Sequence, residues 1–350
     1  MASESPSLDV VRRFAPGTNV RDAVDLIFRQ GTGALVIFGS GPIVDKVGSG
    51  GFWLENVPFT APRIAELAKM DGGIVVNADM TKIDRANVHF IPDPTIDTEE
   101  TGTRFRTAER VALQTGFPVL AISEEGRNIA IVYSGSERYE LRRPTDLHAQ
   151  ANQTLNSIER LRRRLQEAQE RLTRLEVDDL VTVNDVTLVL QRAALVRRLF
   201  RQVDRTVIEL GGAAELIRIQ AADIVEGVEE TADLIYADYV RRRRPTKKTV
   251  FDRLASLDTN GLYETVKIAA ALDLGDLDRP ARPRGVRALA GAPRLPETVK
   301  NALISRFRNL QRLLSATVDE LDTVAGIGTT RAHQLRNYLD RLRQAGSIVD

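Results

Sequence analysis

Thr101-Gly102-Thr103-Arg104-Phe105-Arg106-Thr107-Ala108-Glu109-Arg110, which begins thirty residues after Asp71-Gly72-Gly73, decides how the first part of this chain is read. Two arginines flank one residue on a Gly/Thr-rich approach to a helix. Such a segment offers guanidinium forks, hydroxyls and backbone N–H groups together, a donor set suited to a polyphosphate. Basic residues at a helix start oppose the macrodipole and are a poor choice for helix stability, so their placement makes more sense if an anion arrives. An Asp-Gly pair at a strand start supplies a carboxylate for a metal or an attacking hydroxyl. Asp-Gly alone is a common turn dipeptide. The two segments within one small α/β unit read as a single nucleotide site.

Working outward, short β-branched runs recur at Ala34 to Phe38, Gly73 to Val76, Val119 to Ile122 and Ile129 to Tyr133. Helical patterns lie between them at Val20 to Gln30, Pro62 to Lys69 and Thr107 to Thr115, with Gly31 and Gly116 where helix C-terminal glycines belong. Gly39-Ser40-Gly41-Pro42 and Gly48-Ser49-Gly50-Gly51 read as turns or loops, and Glu124-Glu125-Gly126-Arg127-Asn128 as a hairpin connection. Residues 1–148 are therefore expected to form a mixed-sheet α/β nucleotide-binding domain.

From about Ala149 the texture changes, and glycine is absent until Gly211. Ile158, Leu165 and Leu172 repeat every seven residues, as do Leu161, Ala168 and Leu175, which predicts a long helix. Two packings are open, an intermolecular coiled coil or a neighbouring helix of the same chain. Helical patterns continue through residues 180–275, interrupted by Arg241-Arg242-Arg243-Arg244-Pro245-Thr246-Lys247-Lys248. That run suits either a solvated helix end or a nucleic-acid contact. Residues 149–285 are expected to be a helical spine and 286–350 a small helical domain, so the whole reads as α/β followed by all-α.

The last 70 residues carry a balance of +6 on a remainder of −5, which points to a polyanion partner for that end, although a solvated basic face fits the charge equally well. Within it, Leu321, Val324, Ala325-Gly326-Ile327-Gly328, Ala332 and Leu335 match a helix-hairpin-helix pattern. Glycines let the hairpin backbone approach a DNA phosphate, and the next helix start offers N–H donors. Gly326, Gly328, Thr329, Thr330 and Arg331 are the candidate DNA-binding residues. Ala292-Pro293-Arg294-Leu295-Pro296 reads as a second, degenerate hairpin.

Cysteine is absent, which excludes disulfides, thiolate metal sites and Cys nucleophiles. His89, His148 and His333 are scattered and form no zinc pattern. There is no GxxxxGK[ST] loop and no GxGxxG after a strand. With no signal pattern or membrane-length apolar run, a soluble cytoplasmic chain without a membrane partner is expected.

Residues 1–148 resemble a diadenylate cyclase domain, and the whole chain is similar to the bacterial DNA integrity scanning family. The resemblance rests on Gly50-Gly51-Phe52, Glu66-Leu67-Ala68-Lys69-Met70-Asp71-Gly72, Glu100-Thr101-Gly102-Thr103-Arg104, Arg106-Thr107-Ala108-Glu109-Arg110, Gln114-Thr115-Gly116, Pro283-Arg284-Gly285 and Gly326-Ile327-Gly328, in order. It implies condensation of two ATP into cyclic di-AMP and two pyrophosphates, with Mg²⁺ or Mn²⁺, in a homo-octamer whose paired sites face each other. It also implies binding of branched DNA of the Holliday-junction kind, which lowers cyclase activity. By position, Asp71 would coordinate the cation and help activate the ribose hydroxyl. Gly72 and Gly73 would admit the nucleotide closely, and Phe90 would pack near the base or simply fill the core. Thr103, Arg104, Arg106 and Thr107 would hold phosphates, and Ser123 and Glu124 would lie on the adenine side.

Two positions depart from the family. Its Asp-Gly-Ala reads Asp71-Gly72-Gly73, a change expected to cost about 1 kcal/mol of backbone entropy. Its Arg-His-Arg reads Arg104-Phe105-Arg106, and phenylalanine cannot donate a hydrogen bond to phosphate. If that bond serves the transition state, its loss would cost about 2.7–4 kcal/mol. The alternative to an active cyclase is therefore a weakened ATP- and junction-binding scaffold. A third reading is a DNA-binding protein with a purely structural first domain.

Overall fold

The computed structural model describes residues 8–124, 128–240 and 248–347. The segment Glu125-Gly126-Arg127 of the expected hairpin, and Arg241 to Lys247 of the basic run, lie outside the described residues. The chain divides into two compact units, Met1–Asn152 with Asp204–Arg218, and Gln153–Val203 with Ile219–Asp350.

Among its described residues the first unit has eight strands: β1 (Ala34–Phe38), β2 (Gly48–Ser49), β3 (Phe52–Pro58), β4 (Gly73–Val76), β5 (Lys82–Phe90), β6 (Val119–Ile122), β7 (Ala130–Ser134) and β8 (Glu137–Glu140). The order is β2-β5-β4-β1-β6-β7-β8, with β3 paired to β5. β1 and β4 run parallel, with Val36 opposite Ile74, while the other pairings are antiparallel. The central strands read as continuous apolar runs because helices cover both faces. On one face Val36, Phe38, Ile74, Val76, Leu120 and Ile122 pack against Ala23, Val24 and Ile27 of helix Asn19–Gln30 and Ile64 of helix Ala61–Leu67. On the other, Ile37, Val75, Val119 and Ala121 pack against Val44 and Val47 of helix Pro42–Val47 and Ala108, Val111 and Ala112 of helix Thr103–Thr115. Alternate side chains of one strand thus serve two cores.

The expected C-terminal glycines hold, since Gly31 (φ 71°) and Gly116 (φ 74°) both end their helices in the left-handed region. Four strands escaped the periodicity. β3 and β8 are largely exposed, and β5 carries Asp84, Arg85 and Asn87 among its apolar residues. Gly48-Ser49, expected as loop, forms β2 on Phe90 and His89. The last helix of the domain starts at Thr103, four residues before the expected Thr107, so Arg104 and Arg106 sit inside its first turn.

The second unit is helical. Ile158, Leu165 and Leu172 of helix Pro144–Val177 are fully buried within the single chain, which settles the seam as intrachain packing. Arg192 of helix Val183–Leu210 donates to the Arg164 carbonyl at 2.6 Å. Toward the end, helices Val286–Ala290, Glu297–Phe307, Leu310–Leu314, Val318–Asp322 and Thr329–Ser347 enclose a core of Leu289, Leu303, Leu313, Leu321, Ala332, Leu335 and Leu339. Asp238 is buried and accepts the Val286 and Arg287 N–H groups at 2.5 and 2.8 Å, capping the first of these helices from 48 residues upstream.

Candidate nucleotide site and hairpin surface

The two stretches singled out in the sequence meet at one cavity of about 350 Å³. Its wall comprises Gly33, Ala34 and Leu35 before and in β1, Met70 to Gly73 entering β4, Val88 to Phe90 at the end of β5, and Thr103, Arg104 and Thr107 on the helix start. Gly102 caps that helix without a side-chain hydrogen bond, and its first turn holds no acidic residue. The free N–H groups and positive dipole end therefore add to the charge of Arg104. The Thr107 hydroxyl donates to the Thr103 carbonyl at 2.9 Å.

Arg104 is held in place by its neighbours. One guanidinium nitrogen donates to Glu124 at 2.8 Å and another to the Ile122 carbonyl at 3.3 Å. The group lies flat against Gly33, where a β-carbon would come within 2.2 Å of it. Asp71 is exposed on the cavity wall, and its carboxylate makes no hydrogen bond or ion pair among the described residues. A single carboxylate beside space for phosphate oxygens fits Mg²⁺ or Mn²⁺, since such ions are held by one or two carboxylates plus substrate phosphates. No cluster of three or more acidic, His or Cys ligands exists among the described residues to hold a metal by itself.

The glycines do more than admit a ligand. A β-carbon on Gly72 would strike the Asn87 backbone at 2.4 Å, and one on Gly73 would strike Phe90 Cε2 at 2.1 Å. Gly72 N–H also donates to Asn87 Oδ1 at 3.1 Å. The expectation that the missing methyl at Gly73 is a mild backbone change therefore needs correcting, because the Phe90 ring occupies that space.

Asp71, Gly72, Gly73, Phe90, Thr103, Arg104 and Thr107 thus converge. Phe105, Arg106, Ser123 and Glu124 are not part of the wall. Phe105 packs on the core beside Ala108 and Val111, and Arg106 is exposed. Ser123 Oγ accepts the Ile129 N–H at 3.1 Å, and Glu124 reaches the site only through Arg104.

Sequence reading missed a clamp. Glu100, directly before the Thr-Gly-Thr segment, accepts the Tyr133 hydroxyl of β7 at 2.7 Å and Arg138 Nε of β8 at 2.8 Å. Burial acts to raise the Glu100 carboxyl, but hydrogen bonds from Arg138 and Tyr133 outweigh it and hold its pKa below the usual value. Burial, then the Glu100 contact, pushes the Tyr133 hydroxyl far up, so it remains a donor. The loop is further tied to the helix by Asp93 N–H to Gln114 (2.9 Å) and Arg110 Nε to the Ile96 carbonyl (2.8 Å). Only the adjacency of Glu100 to the phosphate-type segment signalled this role.

In the second unit, helices Val318–Asp322 and Thr329–Ser347 flank the turn through Gly326 (φ 88°). Ile327 is buried, while Thr329, Thr330 and Arg331 are exposed at the start of the second helix. Arg331 also donates to the Gly326 carbonyl at 3.0 Å. Gly328 has no positive φ and open space where a side chain would go. The expected degenerate hairpin joins helices Val286–Ala290 and Glu297–Phe307, with Arg294 at φ 60°. Ala292 to Leu295 and Thr330, Arg331, Gln334 and Tyr338 line one groove.

A mixed sheet covered on both faces, with a basic helix start facing a carboxylate, defines an α/β nucleotide-site domain, here followed by a helical hairpin region. Residues 21–137 match the family model described as DisA bacterial checkpoint controller nucleotide-binding, and 141–278 the one described as its linker region. A DNA integrity scanning protein from Streptomyces coelicolor is 44% identical over 344 residues, covering 95% of this chain and 91% of that protein. One from Kineococcus radiotolerans is 42% identical over 341 residues, covering 96% and 94%. The chain belongs to the DNA integrity scanning family, whose first domain is of the diadenylate cyclase type.

Proposed function

We propose that this chain condenses two ATP molecules into cyclic di-AMP and two pyrophosphates, and that branched DNA on its C-terminal hairpin restrains the reaction. The observation that carries the reading is the convergence of Asp71 and Arg104 on one cavity at a helix start free of side-chain caps. Thr103, Arg104, Thr107 and the first helical N–H groups bind the triphosphate and set its α-phosphorus for in-line attack. Asp71 orients the ribose 3′-hydroxyl and accepts its proton as the oxygen attacks. The 3′-oxygen of one ATP forms the new bond to the α-phosphorus of the other, and the bond to the pyrophosphate oxygen breaks. Mg²⁺ or Mn²⁺ at Asp71 supplies neutralisation of phosphate charge.

Each domain holds one ATP, so two copies must face each other, as they would in a homo-octamer. Domains 1–148, 149–285 and 286–350 then divide catalysis, spine and DNA binding. Among the described residues no helix is long and apolar enough to cross a membrane.

The test is incubation with ATP and Mg²⁺ or Mn²⁺ followed by chromatography. Cyclic di-AMP is expected, with at least a 100-fold loss, by order of magnitude, in Asp71→Asn. ATP binding without product would favour the second reading, a weakened scaffold. The specific observation behind that reading is Phe105, which packs on the core and brings no hydrogen-bond donor to the site. Phe105→His would then raise turnover.

A further inference from the structure

On helix Val183–Leu210, positions 187, 190, 191 and 194 lie on one face, and all four residues (Thr187, Leu190, Gln191, Ala194) are buried. One turn further the same stripe reads Arg197, Arg198 and Arg201. Arg197 is half-buried, while Arg198 and Arg201 are exposed. With Ala194 they line a small cavity of about 50 Å³ whose opposite wall is the buried trio Phe251, Leu254 and Leu262. A stripe facing Phe and Leu calls for apolar side chains, and three cations grouped there repel one another.

Their partners within the chain are thin. Arg197 reaches Glu229 only at 3.9 Å, and its Nε is buried without a hydrogen-bond partner among the described residues. Arg198 spends one nitrogen on the Leu257 carbonyl at 3.2 Å and is otherwise exposed. Arg201 is exposed; it and Lys248 both act on Asp252, whose carboxylate is already engaged by Thr249 N–H at 2.8 Å. Lys248 is the last residue of the basic run that starts at Arg241.

We propose that this face of the helical spine is a second docking surface for nucleic acid, with Arg197, Arg198, Arg201 and Lys248 taking backbone phosphates. The cavity is too small to enclose a nucleotide. It suits a phosphate on a strand running past, with the guanidinium planes backed by the apolar wall. Such contacts carry no base readout; they fix register and add affinity. This inference rests on the DNA-binding half of the reading above and extends it from the hairpin to the spine.

The experiment uses the full chain and fluorescently labelled four-way junction DNA in a salt series. Arg198→Gln/Arg201→Gln is compared with Arg29→Gln/Arg63→Gln, which removes the same charge elsewhere. Each phosphate contact contributes about 0.9 to the slope of log K against log salt. The spine pair is expected to flatten that slope by about 2, the control pair to leave it unchanged, and both to bind ATP as the wild type does. Equal slopes for the two pairs would overturn the proposal while leaving the hairpin reading intact. So would a spine pair that changes affinity for ATP or pyrophosphate and not for DNA. A wild-type chain that binds no junction at any salt would overturn both.

Discussion

The ring of Phe90 lies where a β-carbon of Gly73 would be, 2.1 Å from Cε2, so β4 and β5 can pair beside the cavity only while residue 73 has no side chain. Gly73→Ala forces Phe90 out of its place. A loss of about 1–3 kcal/mol in unfolding free energy is expected, together with weaker ATP binding. In Phe90→Leu the same Gly73→Ala change should cost much less. A double-mutant cycle by urea denaturation checks this; additive effects would mean that the two residues do not share the space.

Glu124 competes with phosphate for Arg104. Their contact is 2.8 Å, with the Glu124 side chain 56% and the Arg104 side chain 29% exposed. An exposed pair of this kind is worth about 0.2–1 kcal/mol. Glu124→Gln should therefore tighten ATP binding roughly 1.5- to 5-fold, whereas Arg104→Lys, which loses the planar fork, should weaken it. Titration calorimetry with ATP and adenosine separates phosphate effects from base effects. Unchanged ATP affinity in Glu124→Gln would show that Arg104 does not turn to the ligand.

The Glu100 clamp sets where the helix start sits. Glu100→Ala leaves the buried Tyr133 hydroxyl without its acceptor, a loss of about 1–3 kcal/mol. Glu100→Gln keeps an acceptor for Tyr133 and should lose less. If the clamp positions Thr103 and Arg104, ATP affinity follows the same order. A melting-temperature loss in Glu100→Ala with ATP binding intact would confine the clamp to stability.

Asp238 makes stability depend on pH in the direction opposite to most carboxylates. Burial pushes its pKa up to about 6, despite the Arg287 and Val286 N–H bonds that favour the charged form. An unfolded Asp titrates near ~3.9, so between about pH 4 and 6 the folded state holds more protons than the unfolded state. Its contribution therefore falls as pH rises through that window, by an amount on the order of 3 kcal/mol. Asp238→Asn removes the dependence. Denaturation midpoints from pH 4 to 7 should show wild type losing ground to the variant; parallel curves would refute the assignment.

The central strands were legible in the sequence because a strand buried on both faces shows as an unbroken apolar run, as in Ala34 to Phe38. The strand β5 was not, since Arg85 is buried by its contacts with Trp53, Gly50 and Asp45 and so reads as polar. The Asp71 and Arg104 pair was legible from residue chemistry. Phe105 was not, because spacing on a helix start does not say which side chain turns to the core. The Gly73 and Phe90 packing is a contact across two strands, which no local pattern encodes.

The cap that Asp238 lends to helix Val286–Ala290 bears on where this protein can be cut. An excised fragment beginning at 286 would start with bare N–H groups and would strand Arg287 away from Glu176. A portable hairpin module for DNA work should accordingly carry its upstream helical neighbours with it, or bring a replacement acid of its own.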